Sequence, residues 1–262
     1  MLMNFSVIQV FFFDLDGVLS IGKENPQYLG GRELIAKIKS SGKKASILTN
    51  DSTHTRIEIQ QNLARLGFSF DLQEILTSSY LTALYLTKRF DKTGFFLVGE
   101  EGLRRELESA GHYQTEDRAK VVVVGFDRKL SYEKLDKALR ILKNGAILIG
   151  SYGGAVFMSD SGPALSAGPI IKALEYASGK RAIMIGKPSP RMFRLALLHA
   201  KEKASKAVMV GDQIETDILG AKRAGVHTVL VLTGVENRDS ISRSKIKPDM
   251  IVESLDELMK YM

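Results

Sequence analysis

The 262-residue sequence contains no cysteine. That excludes disulfides, thiolate metal sites and a cysteine nucleophile, and makes a reducing cytoplasm the expected home. No apolar run approaches the roughly 18 residues that a membrane-spanning helix needs, so no membrane association is expected. A secretory signal is not expected either: no basic segment precedes the apolar run Val7 to Phe13, which stops at Asp14 rather than at a small-residue cleavage site. Histidine is scarce, and His54, His112, His199 and His227 show no ligand spacing, so each is read as structural. Fixed-period repeats and low-complexity linkers are missing as well. What remains is the composition of an ordinary globular protein, 44% hydrophobic and 26% charged, long enough for one or two domains.

The formal charge of +7 raises the question of an anionic partner. Nucleic acid is not expected, because the basic residues are scattered and only Arg243-Ser244-Lys245-Ile246-Lys247 forms a cluster, without zinc-finger spacing or an aromatic RNA-binding motif. The excess reads as solvated surface that also favours small anionic substrates.

The run Val7 to Phe13 is long enough for one buried strand and ends in Asp14-Leu15-Asp16-Gly17. In open α/β sheets ligands collect beyond the carboxyl ends of such strands. Two carboxylates this close repel, and a cation beside them relieves the repulsion. A solvated turn is the alternative reading of the same four residues.

The pattern then alternates. A helix is expected over Arg32 to Lys39 with Leu34, Ile35 and Ile38 on one face, then a strand Lys44 to Leu48 ending at Thr49-Asn50-Asp51, then a helix His54 to Leu66 with Ile57, Leu63, Ala64 and Leu66 buried. Such alternation predicts a parallel α/β sheet. From residue 81 a second series begins, with apolar strands Phe95 to Val98, Val121 to Gly125 and Ala146 to Ile149 separated by helices, and roughly 100 residues suffice for a small domain of its own. The first domain is expected to resume at Ile183-Met184-Ile185-Gly186-Lys187-Pro188. It continues through the strand Ala207 to Val210, which ends at Gly211-Asp212 with Asp217 beyond. The expected division is a Rossmann-like core over 1–80 and 181–262 with an inserted α/β cap over 81–180.

Parallel strands would gather Asp14, Asp16, Thr49, Asn50, Asp212 and Asp217 at one sheet edge, with Lys187 on a loop beside them. Carboxylates, a hydroxyl, an amide and one lysine suit a hard cation held by oxygen, Mg²⁺, which leaves coordination positions for phosphate. Thr49 and the amides that start the next helix offer neutral donors to phosphate oxygens, and Lys187 offers a charge. A carboxylate is then the remaining candidate nucleophile, and a second acid nearby could shuttle the proton.

Asp14-Leu15-Asp16-Gly17-Val18, Thr49-Asn50, Gly186-Lys187-Pro188 and Gly211-Asp212 with Asp217 occur in the order of the four motifs of the haloacid dehalogenase-like (HAD) hydrolase superfamily, which the chain resembles over nearly its whole length. The insert, Val124-Gly125-Phe126-Asp127-Arg128 and Leu230-Val231-Leu232-Thr233-Gly234-Val235 resemble the subgroup typified by NagD and the 4-nitrophenylphosphatases. The resemblance implies Asp14 as nucleophile and metal ligand, and Asp16 as general acid/base that also meets the metal through its carbonyl. It further implies Thr49, Asn50 and Lys187 as phosphate-binding groups, Asp212 as a metal ligand and Asp217 as its support within the metal site. Two departures stand out: Asp51 where the subgroup often has Asn, and Gly150-Ser151-Tyr152-Gly153-Gly154 where its cap usually carries an Ala-Thr-Asn-Pro-Asp-like loop. Ser151 and Tyr152 are therefore either substrate contacts or part of a Gly-rich turn.

The expected activity is Mg²⁺-dependent hydrolysis of a small phosphomonoester through an aspartyl-phosphate. The rival readings are a catalytically silent phosphate-ligand binder and a phosphotransferase to an acceptor other than water. The oligomeric state is open, with a homodimer among the options.

Overall fold

A computed structural model describes residues 3–22, 26–159 and 162–262; part of the polar stretch 22–31, residues 23–25, lies outside the described residues. The chain divides into two compact units, Met1–Thr49, Ile57–Leu76 and Lys187–Met262 forming the first, Asn50–Arg56 and Thr77–Gly186 the second.

In the first unit the strand Val10–Phe13 lies at the centre of a six-stranded sheet. It is flanked by Ala207–Gly211, His227–Val231 and Met250–Val252 on one side and by Lys44–Thr49 and Ile75–Thr77 on the other. Both strands paired to it run parallel to it. All four residues of the central strand are buried, as a sheet covered on both faces requires. Phe11 and Phe13 share one face with Ala45, Ile47, Val208, Val210, Val229 and Val231, while Phe5 stacks on Phe11 at 6.1 Å between ring centroids. Each buried phenylalanine contributes about 1.5–3 kcal/mol, comparable with the entropy lost by ordering its backbone. The strand is therefore held by the sheet around it. Its register pairs Phe13 with Val210 and with Ile47, so the three strands end within two residues of one another and the residues that follow them emerge at the same edge.

The second unit has its own parallel sheet in the order Ile183–Met184, Ile147–Gly150, Val121–Val124, Gly94–Val98, Tyr113–Gln114. The helices Ser78–Phe90, Glu101–Ser109, Tyr132–Lys143 and Ala167–Ser178 belong to it, as does an antiparallel hairpin of Val156–Ser159 with Gly162–Leu165. The α/β class with parallel sheets is as expected.

Three details depart from the expectations. Ile183–Met184 does not resume the first sheet: it is the edge strand of the second, paired with Ile149 and Gly150, and the first unit resumes at Lys187. Residues 50–56 pack with the second unit rather than with the core, because Ser78 Oγ donates to the Asn50 carbonyl (2.9 Å) and the Arg56 guanidinium meets Glu106 (3.1 Å). Finally, the helix is Arg56–Arg65, and Ile57 is 55% exposed while Ile59 takes the buried position.

Candidate active site

Four charged side chains meet beyond the carboxyl ends of the first sheet. Asp14 follows the central strand, its amide still bonded to the Val210 carbonyl (2.9 Å). Its Oδ1 accepts from the Leu15 amide (2.9 Å) and lies 2.8 Å from Lys187 Nζ. Lys187 Nζ also lies 2.7 Å from Asp217 Oδ1. Asp217 sits in a wide π-type turn, Ile214–Ile218, and its Oδ2 accepts from the Gln213 amide (3.1 Å). Asp212 Oδ2 accepts from the Val235 amide (2.9 Å). One carboxylate oxygen from each of Asp14, Asp212 and Asp217 falls within 4.8 Å of the others.

The chain around these groups is shaped to admit them. Gly17 is in the left-handed region (φ 78°), and a Cβ there would stand 2.7 Å from Asp212 Cγ. A Cβ on Gly234 would stand 2.6 Å from the same atom, so the Asp212 carboxylate lies between two residues that lack side chains. Thr233 Oγ1 donates to the Gly17 carbonyl (2.6 Å), tying the two loops together. Ser189 caps the helix Pro190–Ala200 that follows Lys187, its Oγ accepting from the Arg191 amide (3.3 Å), and the Lys187 amide donates to Met192 Sδ (3.2 Å).

The electrostatics are unbalanced. Burial pulls the Lys187 ammonium toward neutrality, but the charges of Asp14 and Asp217 more than reverse this and hold its pKa above the ordinary lysine value. Burial, followed by the charges of Asp14 and Asp217, pushes Asp212 up to about 7. Burial likewise raises Asp217, to about 6, against the pull of Lys187. Three carboxylates gather around one ammonium, which pairs with two of them, and among the described residues Asp212 Oδ1 is buried without a hydrogen-bond partner. An all-oxygen donor set, excess negative charge and an orphaned carboxylate oxygen fit a hard divalent cation.

A family model described as haloacid dehalogenase-like hydrolase matches residues 11–113, and one described as HAD-hydrolase-like matches residues 184–258. Chronophin of Mus musculus is 34% identical over 267 residues, 95% of this chain and 91% of that protein. Human glycerol-3-phosphate phosphatase is 31% identical over 96% of this chain and 90% of its own length. Among solved structures, a p-nitrophenyl phosphatase from Archaeoglobus fulgidus superposes with a TM-score of 0.92 at 34% identity, covering 97% of this chain and 99% of that one. The chain belongs to the haloacid dehalogenase-like hydrolases. The human relative and the Archaeoglobus fulgidus protein are phosphatases by name, and the structural neighbours include a 4-nitrophenylphosphatase from Thermotoga maritima and a putative NagD protein.

In this HAD hydrolase the remaining expected residues are distributed as follows. Asp16 is half-buried, two residues beyond Asp14, with its backbone bridged to Ser20, and its side chain is not part of the three-carboxylate cluster. Thr49 is 3% exposed at the end of its strand. The Asn50 amide oxygen lies over the bare Gly186, where a Cβ would stand 2.6 Å away. Ser151 is completely buried, its Oγ donating to the Val124 carbonyl (3.2 Å). The Tyr152 hydroxyl folds against Gly154 within the same turn. Sequence reasoning missed Gly17 and Gly234 as the cradle of Asp212, and Thr233 as the link between their loops. The Thr233-Gly234 step directly after an apolar strand was the available signal.

Among the described residues no helix is long and apolar enough to cross a membrane.

Proposed function

We propose that this protein is a Mg²⁺-dependent phosphomonoesterase acting on a small phosphorylated metabolite, with Asp14 as the nucleophile. The observation that carries the proposal is the Asp14 carboxylate itself. Its Oδ1 is fixed by the Leu15 amide and Lys187, which sets the rotation of the group and leaves Oδ2 to attack phosphorus. The O–P bond to Asp14 forms as the bond to the leaving oxygen breaks, and Asp16 gives that oxygen its proton. Asp16 then takes a proton from water, which attacks phosphorus and releases Asp14 and inorganic phosphate. Lys187 neutralises phosphoryl oxygens, and Thr49 and Asn50 donate to the same oxygens.

Asp14 and Asp212, with the Asp16 carbonyl, would hold the Mg²⁺, while Asp217 orients Lys187. When bound, the ion supplies charge stabilisation for the transferring phosphoryl group. A reducing, cytoplasmic setting suits a chain without cysteine.

Asp14→Asn preserves shape and removes the nucleophile, so hydrolysis of 4-nitrophenyl phosphate should fall by about 10⁴-fold or more. Chelation should silence the parent enzyme and excess Mg²⁺ should restore it. Parental turnover by a cleanly purified Asp14→Asn variant would overturn the assignment.

A further inference from the structure

The basic run 243–247 has no part in the hydrolytic centre. Lys247 is accounted for by the fold, since its Nζ donates to the carbonyls of Ile241 (2.7 Å) and Ser242 (3.2 Å) near the end of the helix Arg238–Arg243. Arg243 and Lys245 are different. Both are exposed, and among the described residues neither has an ion-pair partner.

Both line an open surface cavity of about 560 Å³ in the first unit. Ile214 and Ile246 give it an apolar component, part of the cluster formed with Ile218, Leu230 and Ile241. Its acids are Glu215 and Glu236. The Glu236 carboxylate is already engaged, Oε1 accepting from the Ile214 amide (3.2 Å) and Oε2 from Ser240 Oγ. The uncommitted charges are therefore two cations and the single exposed carboxylate of Glu215. Such a lining complements an anionic head joined to a hydrogen-bond donor.

Glu236 also connects this cavity to the centre. Its amide donates to the Asp212 carbonyl (3.3 Å), and its neighbour Val235 donates to Asp212 Oδ2 (2.9 Å). Ser240 and Ile214, both in the cavity wall, bond the Glu236 carboxylate, so the wall reaches the residue that braces the Asp212 loop.

We propose that this cavity binds a small organic anion, with a phosphate or carboxylate head on Arg243 and Lys245 and an amino or hydroxyl group on Glu215, and that its occupancy modulates turnover through Glu236. The modulation rests on the proposed hydrolysis; the binding does not.

The test titrates the ¹⁵N-labelled full chain, with Mg²⁺ present, separately with 2-aminoethylphosphonate and with β-alanine, neither of which is a phosphoester. Saturable shifts of the amides of 214–215 and 240–246 are expected, and the probe that gives them distinguishes a phosphate-type from a carboxylate-type ligand. The double variant Arg243→Gln/Lys245→Gln should retain basal hydrolysis and its spectrum elsewhere but bind the probe at least about tenfold more weakly. The bound probe should change kcat or KM of the parent and not of the variant. Shifts confined to the surroundings of Asp14 and Lys187, no saturable shift with either probe, or equal binding by the double variant would overturn the site. Binding without any kinetic change would overturn the coupling through Glu236, whereas a protein that binds the probe yet hydrolyses nothing would contradict the proposed function alone.

Discussion

Each unit of the molecule buries a cluster of charge, and the two clusters are built on opposite principles. In the second unit Arg56 packs over the Tyr80 ring (3.8 Å), and its Nε donates to both carboxylate oxygens of Glu106 (3.1 and 3.2 Å). Nearby in sequence, Asp51 accepts from the Thr53 amide (2.7 Å) and pairs with His54 Nδ1 (2.7 Å). Burial would raise the Asp51 pKa, but His54 and Thr53 together bring it down to about 2. Every charge there has its complement. In the first unit Lys187 pairs with Asp14 and Asp217, Asp212 has no ion-pair partner among the described residues, and Asp212 and Asp217 are pushed up to about 7 and about 6. A cluster that completes itself is held for structure, and one that leaves charge over is incomplete until it meets something cationic.

Removing a cation should separate the two most sharply. Lys187→Met leaves three buried carboxylates with no ammonium, so hydrolysis should drop by about 10³-fold or more, measured as kcat/KM. Glu106→Gln strands the Arg56 charge and should cost about 3 kcal/mol of stability in urea unfolding. Because the carboxylates proposed to hold the metal belong to the first unit, its Mg²⁺ affinity in calorimetry should match the parent's. A Glu106→Gln protein with lost Mg²⁺ affinity would dissolve the distinction.

A gentler probe alters room rather than charge. Gly234 is exposed, yet a Cβ there would stand 2.6 Å from Asp212 Cγ. Gly234→Ala should tilt the Asp212 carboxylate and weaken Mg²⁺ binding by about tenfold, with the melting temperature of the metal-free protein nearly unchanged.

These differences also explain what was readable in the sequence. Asp14, Asp212 and Lys187 were legible because acids directly after apolar strands, and a lysine before Pro188-Ser189-Pro190, break a local pattern, and parallel pairing then brings strand ends together. The cradle of Gly17 and Gly234 was not, since it joins residues 217 positions apart through a close approach that no periodicity records. The Arg56–Glu106 pair spans 50 residues and looks in sequence like two ordinary surface charges. Ile183–Met184 continues without a break into Ile185-Gly186-Lys187, so only its pairing with Ile149 and Gly150 assigns it to the second sheet. Ile57 lies about 200° round the helix from Ile59, which shares a face with Leu63 four residues on, so the buried face that takes Ile59 and Leu63 leaves Ile57 outside.

The finest test applies the same chemical change to both clusters. The Asp51 pKa is depressed in the folded protein, so its ionised form contributes stability that is present above the unfolded value near 4 and is lost as pH falls through about 2. Asp51→Asn should therefore destabilise the protein at neutral pH by about 1–2 kcal/mol and have little effect on stability near pH 2. The Asp212 pKa is raised, so the native state holds a proton that the unfolded chain has released, and stability declines as pH rises from about 4 to about 7. Asp212→Asn should accordingly stabilise the metal-free protein above pH 7, by about 1 kcal/mol, with the gain disappearing below pH 4. Added Mg²⁺ should reverse that order, stabilising the parent and not the variant, because only the parent retains the oxygen that the ion completes. Denaturation midpoints across pH, with and without Mg²⁺, measure both signs. If Asp212→Asn destabilised the metal-free protein at neutral pH as Asp51→Asn does, the carboxylates of the first unit would be satisfied by their own surroundings, and the excess charge read as a metal site would have no such meaning.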